Sequence, residues 1–322
     1  MSNAWSTNYL PSTKTKMKIL ITGAAGYLGR ILYPILNLSD NHYVVGIDNY
    51  LYHQEKRPEI IKADITDKKA MLAFSRGIDV IIALAGIVGD PACGLNAKET
   101  IKVNQESTKL LAEVCERNKV KKLIFTSSCS VYGYSSKMLT TNSSLHPLSL
   151  YAKTKLESEK ILLNNLKTCQ LKILRLGTMF GYSPRMRFDL VVNIMTAMAL
   201  KEKKIVVNGG EQWRPLIHVQ NVANFIHKLL KNRQRQVIYN VLDNNYQIID
   251  IAYKIINILK KPIKIIEKKS DDLRDYKVIS SLPLNYTSLT KGIEEIIGFF
   301  KRKEFKNYKD KKYYNVEILK TL

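Results

Sequence analysis

The sequence predicts an α/β protein: a doubly wound parallel sheet with a smaller C-terminal domain. Short apolar runs alternate with amphipathic helical patterns up to about residue 180. This alternation is typical of parallel strands whose crossover helices cover both faces of the sheet. The first apolar run breaks into a turn with three glycines. Beyond Gly177 the pattern changes to loops, arginines and a lysine-rich stretch.

The strands and helices follow from these patterns in order along the chain. Apolar runs predict strands at Ile19–Ile21, His42–Asp48, Ile60–Asp64, Asp79–Gly86, Lys122–Gly133, Leu171–Leu176 and Val237–Val241. Apolar periodicity predicts helices over residues 28–36, 98–118, 149–166, 190–199 and 248–259. Ser149 is the expected N-cap of the third helix.

These elements predict the domain organisation. Residues 17–180 form the expected sheet domain, to which residues 216–262 return. Residues 181–215 and 263–322 form the second domain. Residues 1–16 are polar and lack the apolar core of a signal peptide, so we expect a flexible N-terminal arm.

The net charge is unusual for an ordinary globular composition. The chain carries 51 basic and 28 acidic residues among 322, a formal charge of +23. Such a surface attracts anions, which include nucleic acid, acidic lipid and phosphorylated small molecules. A lysine-rich genome bias explains the charge equally well, so charge alone assigns no partner.

The cysteines and the hydropathy exclude several classes of protein. The four cysteines, Cys93, Cys115, Cys129 and Cys169, form no paired motif and have no histidine cluster beside them. This pattern argues against a metal site and a disulfide scaffold, and it favours a reducing cytoplasm. No apolar run approaches the roughly 18 residues that span a bilayer. We therefore expect a cytoplasmic protein without a membrane partner.

The turn after the first strand has the features of a phosphate-binding loop. Gly23, Gly26 and Gly29 are spaced Gly-x-x-Gly-x-x-Gly and lead into a helical pattern. In a dinucleotide-binding turn, one glycine makes the bend, one admits the pyrophosphate and one lets the helix pack on the strand. The helix N-terminus supplies free N–H groups and partial positive charge for a diphosphate. Three glycines alone are a weak signal, so the following elements decide.

Two acids follow the next two strands. Asp48 lies about twenty residues beyond the glycine turn, where a carboxylate binds the adenosine ribose hydroxyls. Because that carboxylate would repel a 2′-phosphate, the sequence predicts NAD rather than NADP. Asp64 ends the third strand and is placed to approach the adenine. The small residues after the fourth strand form either a backbone-lined cofactor passage or simple tight packing.

A tyrosine and a lysine carry the predicted chemistry. Tyr151 and Lys155 are four residues apart on a predicted helix and therefore share a face. A free tyrosine has a pKa near 10, and a neighbouring ammonium stabilises the phenolate that acts as a base. Ser128, at the end of the fifth strand, is placed to bind the same substrate hydroxyl. The tyrosine–lysine pair alone is a weak signal in a chain with 18 tyrosines. It becomes informative because it follows, in this order along the chain, the glycine turn, the acid after the second strand and the serines after the fifth strand.

In this order the motifs resemble those of the NAD-dependent epimerase/dehydratase family, extended short-chain dehydrogenases/reductases that act on nucleotide sugars. Residues 22–29 match the family's cofactor motif, residues 127–133 its serine strand and residues 151–155 its catalytic helix. The resemblance covers about residues 17–297. It implies a Rossmann-type fold with a C-terminal substrate-binding domain.

The resemblance also assigns residues. It implies that Ser128, Tyr151 and Lys155 form the catalytic set. The residues expected to bind NAD are Gly23, Gly26, Tyr27, Leu28, Gly29, Asp48, Asn49, Asp64, Ile65, Leu84, Ala85, Asn104, Tyr151 and Lys155. Arg185, Asn193, Arg214, Asp272 and Arg274 are the residues expected to bind a nucleotide diphosphate sugar. Arg187 is an alternative to Arg185, and His218 is expected to be structural.

The implied reaction is hydride transfer at sugar C4, with Tyr151 as base, Lys155 on the nicotinamide ribose and Ser128 on the hydroxyl. Family 4,6-dehydratases have acids directly after the catalytic Ser or Thr, whereas this chain has Cys129 and Ser130, so dehydration is disfavoured. Cys129 is also one residue early for the cysteine base of ring epimerases, and we expect it to be buried. A 4-epimerase and a 4-dehydrogenase or ketoreductase both remain open, with surface polysaccharide synthesis as the expected context.

Two other classes of function are disfavoured by the sequence. A non-catalytic dinucleotide sensor usually loses the tyrosine or the lysine, and both are present here. Nucleic-acid binding is disfavoured because the positive charge is scattered and no basic motif is interleaved with aromatic residues.

The resemblance further implies a homodimer that pairs the helices at residues 98–118 and 149–166. The basic stretch from Lys301 to Tyr314 is expected to be solvated and partly mobile.

Overall fold

The computed structural model describes residues 16–39, 42–52, 55–231, 235–281, 287–302 and 307–321. The predicted N-terminal arm, apart from Lys16, lies outside these ranges. The strands are β1 Lys18–Thr22, β2 Tyr43–Asp48, β3 Ile60–Lys62, β4 Val80–Ala83, β5 Lys122–Ser128, β6 Tyr134–Leu139, β7 Gln170–Leu176, β8 Thr178–Phe180, β9 Lys204–Asn208, β10 Trp213–His218, β11 Ile238–Val241, β12 Asn244–Gln247, β13 Lys264–Lys268 and β14 Asp275–Val278. The α-helices are α1 Gly29–Ser39, α2 Lys68–Phe74, α3 Asp90–Leu95, α4 Ala97–Ile101, α5 Ser107–Arg117, α6 Leu150–Asn165, α7 Val191–Glu202, α8 Val219–Lys231, α9 Ile248–Leu259, α10 Leu289–Lys301 and α11 Asn315–Leu319.

Seven parallel strands form the central sheet, as predicted. Their order is β11-β7-β5-β4-β1-β2-β3, and every pairing in it is parallel. One apolar core includes residues of α1 and α8, and a second includes residues of α2, α5 and α6. The connections after β1 and β4 leave in opposite directions, which opens a crevice at the carboxyl ends of these two strands.

The helix predicted over residues 98–118 is interrupted. The structure divides it into α4, a π-helical turn at Lys102–Glu106 and α5. Such turns insert one extra residue per turn and are frequent at functional sites. Within it, the Asn104 carbonyl accepts hydrogen bonds from Thr108 Oγ1 at 2.7 Å and from Ser158 Oγ at 2.9 Å. Two side-chain hydroxyls thus bond this carbonyl, and Ser158 ties the turn to α6.

The second part of the chain has its own core. It includes apolar residues of α7, α9, α10 and β9. The sequence predicts that residues 216–262 return to the sheet domain. Within this segment, β11 is a strand of the central sheet and α8 packs against that sheet, whereas α9 packs in the second core. Within the described ranges, no helix combines the length and apolar composition that crossing a membrane requires.

The basic C-terminal segment is packed rather than solvated. Tyr308 is 5% exposed and belongs to the core that covers α1 and α8. Tyr313 meets the ring of Phe188 edge-on, with 5.2 Å between centroids. Asn315, at the start of α11, is also buried. The expectation that residues 301–314 are solvated is therefore wrong for Tyr308 and Tyr313, whose rings pack in the protein, whereas the lysines at 309, 311 and 312 are exposed as expected. Residues 303–306 of this stretch lie outside the described residues.

Candidate active site

A cavity of about 400 Å³ lies at the carboxyl ends of β1, β4 and β5. The glycine turn, Ser128, Tyr151 and Lys155 line it together with residues from the second part of the chain. The crevice at the point where the strand order reverses is where ligands bind in sheets of this topology. The site is thus built where the two parts of the chain meet.

The glycine turn has the backbone geometry that the spacing predicts. Gly23 adopts φ +73°, and a Cβ there would lie 2.7 Å from the backbone nitrogen of Ala85. A Cβ at Gly29 would collide with the carbonyl oxygens of Gly23 and Ala24, so this position lets the helix pack on the turn. Among the described residues, a Cβ at Gly26 would meet only the Gly23 carbonyl, at 3.2 Å. Gly26 therefore leaves a bare backbone cradle on the cavity side, which fits a pyrophosphate.

Asp48 braces the glycine turn from the end of β2. Its Oδ2 accepts a hydrogen bond from the Ala25 amide at 3.0 Å, and its Oδ1 accepts one from the Tyr50 amide at 2.7 Å. Burial raises the pKa of Asp48, although both amides oppose that shift. The carboxylate lines the cavity beside the turn, which is the position required to bind ribose hydroxyls.

Most of the predicted cofactor residues line this cavity: Gly23, Gly26, Tyr27, Leu28, Gly29, Asp48, Asn49, Ile65, Leu84, Ala85, Tyr151 and Lys155. The other two predicted cofactor residues, Asp64 and Asn104, lie behind the wall of the cavity. The Asp64 carboxylate accepts a hydrogen bond from Asn49 Nδ2 at 3.0 Å. Asn104 bonds both the amide and the carbonyl of Ile87, each at 2.9 Å. Asp64 therefore orients Asn49, and Asn104 fixes the loop that follows β4.

The catalytic candidates converge as the sequence predicts. The Ser149 hydroxyl caps α6 by accepting from the Ala152 amide at 3.2 Å, and this helix carries Tyr151 and Lys155. Ser128 ends β5 and hydrogen-bonds the Tyr151 side chain. Lys155 Nζ donates to the Thr126 carbonyl at 2.9 Å and lies 5.9 Å from the centroid of the Tyr151 ring. A serine, a phenol and an ammonium thus face one point of the cavity.

Burial dominates the electrostatics of this group. It raises the pKa of Tyr151, with added effects from Cys93 and Asp90, while the bond from Ser128 opposes the shift. Burial also lowers the pKa of Lys155 to about 8. Tyr151 is therefore a neutral phenol in the free protein at pH 7, and further positive charge beside it is needed to form the phenolate.

A buried ionic network supports the serine strand from behind. Arg175 on β7 pairs with both carboxylate oxygens of Glu159 on α6, and the shortest distance is 2.7 Å from Nη2 to Oε2. The hydroxyl of Ser127 donates to the same carboxylate, and Arg175 Nη1 donates to the hydroxyl of Tyr132 at 2.9 Å. Both charged side chains are at most 3% exposed. This network fixes β5, α6 and β7 relative to one another.

Cys129 and His218 have the structural surroundings that were expected of them. Cys129 Sγ donates to the Arg175 carbonyl at 3.2 Å, and burial raises the pKa of its thiol. His218 Nε2 lies 2.9 Å from the Glu295 carboxylate, and Phe180 packs against its ring. Neither side chain lines the cavity. By contrast, Ser130 lines it, and its buried hydroxyl has no hydrogen-bond partner among the described residues.

Arg185 is a buried cation on the cavity wall. Its Nη2 donates to Asn315 Oδ1 at 2.6 Å, and its guanidinium lies 5.3 Å from the centroid of the Tyr52 ring. Burial, and then Arg187, lower the pKa of Arg185 to about 10. Arg187 instead forms a bidentate pair with Asp189, at 2.7 and 2.9 Å. Of these two cations, Arg185 is the one whose charge a ligand can neutralise.

The other two predicted arginine ligands are already paired with carboxylates. Arg274 bonds Asp90 and Asp272, each at 2.5 Å. Arg214 bonds Asp272 at 3.1 Å. Both arginines line the cavity, whereas Asp272 does not. A diphosphate that binds here has to exchange with these carboxylates or bind beside them.

Asn193 does not reach the cavity. Its Oδ1 accepts from the Gly181 amide at 3.1 Å, and its Nδ2 donates to the Tyr27 hydroxyl at 3.2 Å and to the Arg187 carbonyl at 2.9 Å. With 0% exposure, its amide is fully committed to the wall. A direct contact between Asn193 and the nucleotide, as expected from the sequence, has no support in this geometry; the side chain positions Tyr27 instead.

Sequence reasoning missed three groups of the cavity wall. Asp90 follows β4, Tyr276 lies on β14, and Asn315 and Val316 belong to α11. The Gly-Asp-Pro sequence at residues 89–91 was the available signal for Asp90, because proline restricts the backbone of the residue before it and glycine permits a positive φ. The aromatic residues of the basic tail were the available signal for α11.

The four cysteines are buried, and none of them forms a disulfide among the described residues. No group of three or more metal-ligating side chains occurs in the described part of the chain.

Comparisons with known proteins agree with the site. A family model described as NAD dependent epimerase/dehydratase matches residues 19–241. The chain is 30% identical over 230 residues to an uncharacterised UDP-glucose epimerase of Bacillus subtilis. The aligned region covers 66% of this chain and 72% of that protein. It is 29% identical to an N-acetylglucosaminyl-diphospho-undecaprenol 4-epimerase of Escherichia coli O157:H7, over 70% of this chain and 67% of that protein. Among solved structures, a UDP-glucuronic acid 4-epimerase of Bacillus cereus in complex with UDP-glucuronic acid and NAD superposes with a TM-score of 0.77 at 26% identity, covering 89% of this chain and all of that chain.

Proposed function

Because the chain belongs to the NAD-dependent epimerase/dehydratase family, we propose that it oxidises and reduces C4 of a sugar joined to a nucleotide diphosphate, with NAD as its cofactor. The observation that carries the proposal is the convergence of Ser128, Tyr151 and Lys155 on the cavity that the glycine turn opens. The bare backbone at Gly26 and the carboxylate of Asp48 fit the pyrophosphate and the adenosine ribose of NAD.

The catalytic side chains divide the work as follows. Tyr151 takes the proton of the sugar hydroxyl, Ser128 holds that hydroxyl against the phenol, and Lys155 binds the nicotinamide ribose and favours the phenolate. Bound NAD supplies the hydride acceptor and a positive charge beside the phenol. Tyr151 then returns its proton to the 4-keto sugar when the hydride is returned. Because burial raises the pKa of Tyr151, its activation depends on these added charges.

The anion-binding groups lie on the walls around this point. We assign Arg185 to a phosphate, since its partners within the described chain are an amide and an aromatic ring. Arg214 and Arg274 are the candidates for the diphosphate of the sugar nucleotide. A planar guanidinium binds phosphate through two parallel hydrogen bonds, which a lysine cannot provide.

The fate of the keto sugar separates the possible products. The positions after Ser128 are Cys129 and Ser130, so they offer no acid pair for elimination of water, which favours a 4-epimerase or a 4-dehydrogenase or ketoreductase. An epimerase retains NAD and lets the sugar turn over, whereas a dehydrogenase releases the reduced cofactor. We place the activity in surface polysaccharide synthesis, in the cytoplasm and in a homodimer, on the family resemblance alone.

The decisive experiment incubates the purified protein with UDP-, GDP-, dTDP- and CDP-hexoses, with and without added NAD. Absorbance of reduced nicotinamide reports net oxidation, and NMR of the sugar reports inversion at C4. We expect inversion or oxidation with one nucleotide series. The absence of turnover and exchange with all four would refute the proposal, and turnover without added NAD would identify an epimerase that retains its cofactor.

The Asn315→Ala substitution tests the assignment of Arg185. It removes the 2.6 Å hydrogen bond that holds the guanidinium, so we expect KM for the sugar nucleotide or Kd for NAD to rise about tenfold, equivalent to about 1.4 kcal/mol. Steady-state kinetics and NAD titration measure the two constants. The control is Glu317→Ala in the same helix, where the side chain bonds only the exposed Lys320 among the described residues. Equal effects of the two substitutions would remove Asn315 from this role.

A further inference from the structure

The carboxylate of Asp90 is held in the cavity with one oxygen unsatisfied. Gly89 precedes it with φ +94°, which favours glycine, and Pro91 follows at the start of α3. This local geometry directs Asp90 from the β4 loop towards the second part of the chain, where its Oδ2 meets Arg274 Nη1 at 2.5 Å. The other oxygen, Oδ1, is buried and has no hydrogen-bond partner among the described residues.

An unpaired buried carboxylate oxygen costs free energy of folding. A ligand bound in the cavity that Asp90 lines can supply the missing hydrogen-bond partner. An ionised carboxylate only accepts hydrogen bonds, and Asp90 is paired with the guanidinium of Arg274. The partner of Oδ1 must therefore be a donor, such as a hydroxyl or an amide N–H. Asp90 lines the same cavity as Ser128 and Tyr151. Its charge raises the pKa of Tyr151, so it lies within electrostatic range of the reacting hydroxyl.

Resting on the proposed function, we propose that Asp90 accepts a hydrogen bond from a hydroxyl of the bound sugar and selects neutral sugars over sugars that carry a carboxylate. The neighbouring groups favour the sugar over the cofactor as the donor. Asp90 is tied to Arg274, and its charge also acts on Tyr276 of β14, so it faces the second part of the chain. Arg185, by contrast, lies in the field of Asp48 beside the glycine turn.

Selection follows from the charge of the site. A hydroxyl donor satisfies Oδ1, whereas a uronate carboxylate beside it brings two like charges together, which is unfavourable in a partly buried site. The unpartnered hydroxyl of Ser130 lies on the same cavity wall and can either donate or accept. Asp90 is therefore the group that distinguishes a donor from an anion, and Ser130 tolerates both.

The test compares two substrates that differ in this charge. With the nucleotide that supports turnover, kcat/KM is measured for the glucose and glucuronate derivatives, for the wild type and for Asp90→Asn, which keeps the shape and removes the charge. We expect the wild type to prefer the neutral sugar at least tenfold. In Asp90→Asn, kcat/KM for the neutral sugar should fall tenfold or more. The ratio of kcat/KM for the neutral sugar to kcat/KM for the glucuronate should narrow to within threefold, and Kd for NAD should not change. Asp250→Asn, the same change at an exposed site on α9, controls for the substitution itself.

The alternative outcomes are distinct. A wild type that turns over the glucuronate derivative as well as the neutral one overturns the inference, as does an unchanged preference in Asp90→Asn. Weaker binding of NAD to Asp90→Asn with an unchanged preference would assign the carboxylate to the cofactor instead. If none of the hexose and glucuronate derivatives of the four nucleotides binds or turns over, the proposed function itself fails, and this inference fails with it.

Discussion

We expect Tyr151→Phe to abolish turnover while the protein still folds and binds NAD. In the proposed mechanism the phenol oxygen takes the proton of the sugar hydroxyl, and phenylalanine has no group in its place. Loss of a positioned acid–base group costs about 10²–10⁴-fold in rate. We expect a fall of at least 10³-fold in kcat, because the hydrogen bond to Ser128 is lost at the same time. Sugar NMR or reduced-nicotinamide absorbance measures the rate, and fluorescence titration measures NAD binding.

The matched control is Tyr253→Phe. This tyrosine lies on α9 with 52% of its surface exposed, so loss of its hydroxyl should leave kcat unchanged. Activity of Tyr151→Phe within tenfold of the wild type would remove Tyr151 from its assigned role. A simultaneous loss of NAD binding would instead indicate that the tyrosine shapes the cofactor site.

Glu159→Gln has the largest expected effect on stability. The substitution keeps the size of the side chain but leaves the buried guanidinium of Arg175 without its counter-charge. Removal of one partner of a buried ion pair costs about 3–5 kcal/mol, because an uncompensated charge stays in a medium of low dielectric constant. The free energy of unfolding, measured by urea denaturation, should fall by this amount. Because the pair also holds Ser127, β5 should loosen and kcat should fall as well.

The same helix offers the control. Glu157 pairs with Lys160 at 2.6 Å, but both side chains are about half exposed. Exposed pairs contribute about 0–1 kcal/mol, so Glu157→Gln should leave stability nearly unchanged. Replacing Glu159 and Arg175 together by apolar residues should recover much of the loss. Comparable effects of Glu159→Gln and Glu157→Gln would mean that the buried pair does not carry the stability of this region.

The central sheet and the catalytic centre could be predicted because their signals are local. Buried parallel strands read as short apolar runs, and the glycine spacing reports a turn whose backbone has to come close to a ligand. Tyr151 and Lys155 share a helical face by their spacing alone. The positions of the predicted strands and the N-cap at Ser149 agree with the structure for the same reason. The fifth strand is shorter than predicted, because residues 129–132 form a 3₁₀ helix; Cys129 is buried there as expected. Each depends on neighbours within a few residues or on the common end of parallel strands.

The break of the helix at residues 102–106 could not be predicted. Apolar periodicity continues through this stretch, and the contact that accompanies the π-helical turn, from Ser158 of another helix to the carbonyl of Asn104, is distant in sequence. The orientation of Asn193 is a similar case. Its amide could equally serve a ligand or the wall, and only the positions of Tyr27 and Arg187 decide for the wall.

The sequence by itself determined the parallel sheet, the glycine turn and the serine, tyrosine and lysine that we propose as the catalytic centre. The tertiary structure decided how each arginine is paired: Arg274 bonds the carboxylates of Asp90 and Asp272, whereas Arg185 bonds the neutral amide of Asn315, 130 residues along the chain. It also placed the C-terminal helix in the wall of the cavity. The physical reason is range: helical and strand periodicity act over a few residues, whereas pairing of charges depends on distances in space that no spacing in the sequence encodes.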